Sequence, residues 1–93
     1  MKRQISQHFI KDVRRIHDQR ILIKIRQVLE RTMLVEKITD LSHVEAMSGY
    51  PNFYRIKFDY NYRIGVYCDG ETIEFLRVGT REDFYKNFLK QVR

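Results

Sequence analysis

The chain has 93 residues, of which 43% are hydrophobic, and its 18 Lys and Arg outnumber its 12 Asp and Glu, giving a formal net charge of +6. This length allows one small domain over residues 1–93, and the hydrophobic share excludes a disordered chain. The positive charge favours an anionic partner, such as nucleic acid, a membrane surface or an acidic protein, without choosing among them.

Two further features of the composition indicate a cytoplasmic protein. Cys68 is the only cysteine, which excludes an internal disulfide and a cysteine-rich zinc site. The first 15 residues contain no long apolar run, so we expect neither a signal peptide nor a membrane anchor. The three histidines are far apart in the sequence and have no metal-ligand spacing, so we expect no metal site.

The first half of the chain has helical periodicity. Residues 2–5 predict a short edge strand, and Ser6 is a plausible N-cap for a helix with an apolar stripe at Phe9, Val13 and Ile16. Asp18 can cap a second helix, which makes an αα-hairpin with basic outer faces. The apolar stripe of the second helix consists of Ile21, Ile25, Val28, Leu29 and Thr32. A short helical turn is predicted within residues 34–47.

After Asn52 the hydrophobic period changes to two, which is typical of strands. We predict strands at residues 53–59, 62–68 and 72–79, with Asp69-Gly70 as a two-residue hairpin turn between the last two. Thr80 then precedes a helix whose apolar face carries Phe84, Phe88 and Val92. The sequence therefore predicts an α+β fold with an N-terminal strand, a helical hairpin, an antiparallel sheet and a C-terminal helix.

The register of the first hairpin decides which side chains share a sheet face. Pairing Phe58 with Ile64 places the apolar residues of both strands together. The other face then gathers Arg55, Lys57 and Arg63, with Tyr67 and Leu76 between them. Such a cluster is either a solvated face, in which Glu74 neutralises one cation, or a site for an anion. Spacing alone leaves both interpretations open.

Two residues near this face complete the candidate set. Arg81 and Tyr85 are four residues apart on the predicted last helix and so share a side of it. Tyr85 is expected at the edge of the apolar stripe. Arg77 has the parity of the apolar face, so we expect it to reach the rim or to meet an acid.

Several short motifs in this order resemble the RelE/ParE toxin superfamily. They are Gly49, Tyr54-Arg55-Ile56-Lys57, Tyr62-Arg63, Val78-Gly79-Thr80-Arg81 and Asp83-Phe84-Tyr85. The resemblance is best over residues 41–88 and extends more loosely over residues 6–28. It implies the RelE-like form of the α+β fold described above.

RelE-like members are toxins of type II toxin–antitoxin pairs that cut mRNA in the ribosomal A site without a metal or a cofactor. The resemblance implies catalytic roles for Arg55, Lys57, Arg63, Arg81 and Tyr85. Arginine stands at position 55 where the family's best-studied type has lysine. The implied partners are a cognate antitoxin, the ribosome and mRNA, with no membrane.

Two other functions fit the same superfamily. A ParE-like protein inhibits DNA gyrase by binding it and cuts nothing, although such members generally lack the full basic and tyrosine set. A catalytically decayed homologue would bind only nucleic acid or an antitoxin. Retention of the five residues favours the nuclease.

Overall fold

The computed structural model describes residues 1–92, with side chains through residue 88. Its elements are β1 (Lys2–Ile5), α1 (Gln7–Arg14), α2 (Gln19–Leu34), a 3-10 turn (Ile38–Asp40), β2 (Val44–Ala46), β3 (Phe53–Phe58), β4 (Tyr62–Cys68), β5 (Thr72–Thr80) and α3 (Arg81–Val92). The predicted strand at residues 2–5, helical hairpin and C-terminal helix are confirmed. The helical turn predicted within residues 34–47 is shorter than that span, and the strand β2 follows it.

The five strands form one sheet in the order β1-β5-β4-β3-β2. Neighbouring strands are antiparallel except β1, which runs parallel to β5, so the sheet is mixed. Helices α1 and α2 cover one face of the sheet, and α3 lies on the other. Within residues 1–92, no helix has the length and apolar character that a membrane crossing requires.

The N-caps predicted for the helical hairpin are confirmed. The Ser6 hydroxyl accepts a hydrogen bond from the Phe9 amide at 3.1 Å, and an Asp18 carboxylate oxygen accepts one from the Arg20 amide at 2.9 Å. Both helices pack their predicted stripes against β3, β4 and β5, but α1 ends at Arg14, so Ile16 lies beyond the helix and packs on the core from the connection to α2. Phe9 packs on Phe75 with 5.6 Å between ring centroids, at the centre of this core.

The register of both hairpins differs from the prediction. Phe58 lies opposite Tyr62 rather than Ile64, because the loop is closed by three residues and Asp59 adopts a left-handed conformation (φ 52°). The error is two residues, so each side chain still faces the predicted side. In the second hairpin Asp69 is the residue before the turn, Gly70 alone has positive φ there, and Cys68 lies opposite Ile73.

A bulge in β5 divides the apolar residues of that strand between the two faces of the sheet. Val66 lies opposite Phe75, but Gly65 lies opposite Arg77, which leaves Leu76 as the extra residue. Leu76 packs with Phe84 and Phe88 of α3 in a second, smaller apolar cluster. The predicted place of Leu76 on the face away from the helical hairpin is confirmed.

The acid that Arg77 was expected to meet is Asp12 of α1. Arg77 donates from Nε and Nη2 to the two carboxylate oxygens of Asp12, at 2.8 and 3.0 Å. The amide of Val78 donates a third hydrogen bond to Asp12 at 3.0 Å. This bidentate pair fastens α1 to β5.

Candidate nucleic-acid cleavage site

Arg55, Lys57 and Arg63 lie on the sheet face away from α1 and α2, which we call the cationic face. Their neighbours along the strands, Ile56 and Ile64, are buried in the main core, and side chains alternate along a strand. Lys57 lies directly opposite Arg63 in the β3–β4 ladder, and Arg55 lies opposite Gly65. Two cations directly opposite each other on one face repel and destabilise the sheet. A negative charge close to them offsets this repulsion.

Arg63 is the most buried member of the cationic face. It is 9% exposed, and its Nη1 donates to the Tyr62 carbonyl at 2.9 Å. Its Nε is buried and finds no acceptor among the described residues. A buried guanidinium with a free donor is costly unless an acceptor approaches it. Arg63 and Lys57 line a pocket of about 290 Å³, and this pocket is open to solvent.

Glu45 of β2 supplies a negative charge to the cationic face, next to Arg55 and Lys57. Its Oε2 accepts hydrogen bonds from Arg55 Nη2 at 2.7 Å and from Arg55 Nε at 3.3 Å. Its Oε1 forms an ion pair with Lys57 Nζ. Hydrogen bonds from Lys57 and then from Arg55 lower the pKa of Glu45 from 4.5 to about 2. Glu45 therefore stays ionised and neutralises part of the cluster.

Glu45 is the residue that the sequence did not reveal, and the assignment of this role to Glu74 is wrong. Glu74 lies on β5 opposite Tyr67, and it forms no ion pair within the described part of the chain. The strand β2 has three residues, too few to show a period of two. The one available signal is the pairing of Glu45 with Arg55 across β2 and β3, which requires the register to be known.

Tyr85 reaches the cationic face from α3. Arg55 Nη1 donates a hydrogen bond to the Tyr85 hydroxyl, and the guanidinium carbon lies 5.6 Å from the centre of the Tyr85 ring. Phe84 and Phe88 fix α3 to the sheet directly above Gly65. A Cβ at Gly65 would lie 2.5 Å from the Phe88 ring, so glycine permits this close approach.

Arg81 is not joined to the other four candidates by a hydrogen bond or ion pair among the described residues. It is the exposed first residue of α3, and its amide donates to the Asn61 carbonyl at 2.8 Å, which joins α3 to the β3–β4 hairpin loop. Its side chain makes no hydrogen bond or ion pair with the residues described. Arg55 is bonded directly to Tyr85 and is linked to Lys57 through Glu45. Arg63 lies opposite Lys57 in the β3–β4 ladder. Arg81 lies at the exposed rim, at the start of α3. In residues 1–92 no three His, Cys, Asp or Glu side chains are grouped to hold a metal ion.

Solved structures with this architecture define the class of protein. The RelE toxin in the crystal structure of the RelB-RelE antitoxin-toxin complex from Methanococcus jannaschii superposes with a TM-score of 0.78 at 29% identity, covering 91% of this chain and 98% of that one. YafQ from Escherichia coli superposes with a TM-score of 0.73 at 13% identity, covering 90% of this chain and 97% of that one, which shows a shared fold alone. These are small α+β toxins with the fold described above.

Sequence similarity gives the family. No protein-family model matches the chain. The toxin RelE3 of Methanocaldococcus jannaschii is 34% identical over 89 residues, which cover 95% of this chain and 99% of that protein. The chain therefore belongs to the RelE family of toxins, as its motifs suggested.

Proposed function

We propose that this chain is a ribosome-dependent endoribonuclease that cleaves mRNA in the ribosomal A site without a metal or cofactor. The observation that carries the proposal is Arg63, a nearly buried guanidinium with an unused Nε beside the ammonium group of Lys57. Two fixed cations at a small open pocket suit the anionic phosphodiester of RNA. Membership of the RelE toxin family supports a nuclease activity.

The proposed reaction is an internal transfer of a phosphoryl group. The 2′-oxygen of the RNA forms a bond to the adjacent phosphorus while the bond from phosphorus to the 5′-oxygen breaks. The products are a 2′,3′-cyclic phosphate and a 5′-hydroxyl. One proton leaves the 2′-hydroxyl and one joins the 5′-oxygen, so a base and an acid are both needed.

The residues of the cationic face can divide these tasks. Arg63 and Arg55 would stabilise the negative charge that grows on the phosphorane, because charge-assisted hydrogen bonds are strongest where water is excluded. Lys57 and Tyr85, on either side of Arg55, are the candidates for accepting the 2′-hydroxyl proton. Arg81 at the rim would bind the phosphate near the leaving oxygen. Arg55 is held by both Glu45 and Tyr85, so its position is fixed before RNA arrives.

The test compares Arg63→Ala with the native protein by primer extension on mRNA in a cell-free translation reaction, with and without ribosomes. Native protein should give sharp new 5′ ends that require ribosomes, and Arg63→Ala should reduce their rate of appearance about 100- to 1000-fold. Arg3→Ala is the control for net charge, because it also removes one positive charge but from an exposed position on the edge strand β1, two strands away from β4.

Circular dichroism shows whether Arg63→Ala still folds, and Arg63→Lys keeps the charge if it does not. Growth arrest with intact transcripts would reject the nuclease. A gyrase supercoiling assay would then test the ParE-like alternative.

We further propose that an antitoxin neutralises the protein. The similar RelE chain was solved in complex with RelB, its antitoxin. The surface between α1 and α2 has an apolar groove of about 480 Å³ that includes Ile10, Val13 and Leu22 and is flanked by Arg14 and Arg26. An acidic amphipathic segment would match both the apolar lining and the charge. Co-expression of the antitoxin should restore growth, and the antitoxin should purify together with the toxin.

A further inference from the structure

Tyr60 is an aromatic side chain with no place in the function proposed so far. It lies at the tip of the β3–β4 hairpin and is 95% exposed. The left-handed Asp59 before it starts this loop (φ 52°). Lys57 of β3 and Arg63 of β4 lie close to this loop, so Tyr60 lies at the edge of the cationic face.

Tyr60 also lines the pocket that contains Arg63. The lining residues are His43, Lys57, Phe58, Asp59, Tyr60 and Arg63, and the volume is about 290 Å³. Arg63 is about nine-tenths buried, and its Nε is unpartnered within the described structure. The pocket therefore combines an unsatisfied buried cation with an aromatic ring at its edge.

The remaining charges of the pocket are already held in place. The Asp59 carboxylate accepts a hydrogen bond from Lys24 Nζ of α2 at 2.6 Å, so its negative charge is compensated. The carbonyl of His43 accepts a hydrogen bond from the Lys57 amide at 2.9 Å, which fixes the loop before β2 against β3. The pocket is lined by the loop before β2, by β3 with its hairpin loop, and by β4, and an anionic ligand would meet a net positive charge there.

We propose that this pocket holds the nucleobase of the nucleotide next to the phosphate bound by Arg63, with the base stacked on the Tyr60 ring. The inference rests on the proposed function, because it extends the same site by one nucleotide. Single-stranded RNA is recognised by stacking of its unpaired bases on exposed aromatic side chains beside cations that bind phosphate. Every base has a π-face, so Tyr60 contributes to affinity and position more than to sequence preference.

The test uses ribosomes programmed with mRNA that carries 2-aminopurine beside the cleavage site and a 2′-O-methyl group that prevents cleavage. Stacking quenches the fluorescence of 2-aminopurine. Native protein and Tyr60→Phe should quench it, and Tyr60→Ala should bind about tenfold more weakly and lose the quenching. Tyr60 is almost fully exposed, so its replacement leaves the core intact.

Equal quenching and equal affinity for Tyr60→Ala and native protein would overturn the base site, as would absence of quenching by the native protein at every position beside the cleavage site. Loss of stacking on Tyr60→Phe as well would show that the hydroxyl, rather than the ring, makes the contact, and would also overturn it. Arg63→Ala distinguishes the two proposals. If Arg63→Ala still cleaves mRNA but Tyr60→Ala loses quenching, the base site stands and the proposed chemistry fails.

Discussion

Each face of the sheet holds a group of charged side chains, but the charges are fully paired on one face and only partly paired on the other. On the face of α1 and α2, Arg77 and Asp12 have side chains 16% and 10% exposed and satisfy each other in a bidentate pair. On the face of α3, two of the three cations, Arg55 and Lys57, share the carboxylate of Glu45, which is 40% exposed. Arg63 has no carboxylate partner among the described residues and keeps a free donor. A balanced buried pair fixes the fold, whereas an unbalanced cluster at the surface remains able to bind an anion.

We expect the largest loss of stability when Asp12 of the buried pair is replaced. Asp12→Ala leaves the Arg77 guanidinium partly buried without its partner, which should lower the free energy of unfolding by about 3–5 kcal/mol. Urea unfolding followed by circular dichroism measures it. Arg20→Ala is the control, because it breaks an exposed, solvent-screened pair with Asp18 and should change stability little. Similar small losses for both variants would mean that the buried pair does not hold α1 to the sheet.

The next effect concerns the packing of α3 above the cationic face. A Cβ at Gly65 would lie 2.5–2.7 Å from ring atoms of Phe88 and Phe84, so Gly65→Ala must displace the helix that carries Tyr85. We expect a loss of about 1–3 kcal/mol in stability, measured by urea unfolding, and weaker mRNA cleavage.

Gly79→Ala is the matched control for Gly65→Ala. Its Cβ would lie 3.6 Å from the Cβ of Asp83, an ordinary contact, and its backbone does not require glycine. Full stability and cleavage in Gly65→Ala would show that the position of α3 is not set by this contact.

The smallest effect on stability, with a distinct pH dependence, is expected at Glu45. Its pKa in the folded protein is about 2, below the ordinary 4.5, so its ion pairs stabilise the fold fully above pH 4.5 and are lost as the pH falls through about 2. Thermal unfolding of native protein and Glu45→Gln should therefore differ at neutral pH and converge towards pH 2.

Glu45→Gln also makes the cationic face more positive, so it should bind RNA more tightly at low salt, with the advantage fading as salt rises. Glu30→Gln on α2 is the control, since it removes the same charge from an exposed position away from this face. If Glu45→Gln bound RNA more weakly than Glu30→Gln, the carboxylate would instead be needed to position Arg55.

Local sequence patterns determined most of the fold. Ser6 and Asp18 cap their helices because side-chain oxygens there meet free amides, and this depends on a few neighbouring residues. The assignment of Arg55, Lys57 and Arg63 to one face was also correct. A two-residue error in register leaves every side chain on the same face, so period-two alternation fixes the face even when the partner is wrong.

The tertiary structure decided which groups touch. Glu45 meets Arg55 and Lys57 because β2 pairs with β3, and a three-residue strand has too little pattern to predict that pairing. The bulge at Gly65/Val66 and the close approach of Phe84 and Phe88 to Gly65 depend on the packing of α3, which local periodicity does not specify. The sequence by itself determined the elements and their faces, because these are properties of neighbouring residues. The charge balance of the cationic face arises only when distant strands and α3 come together.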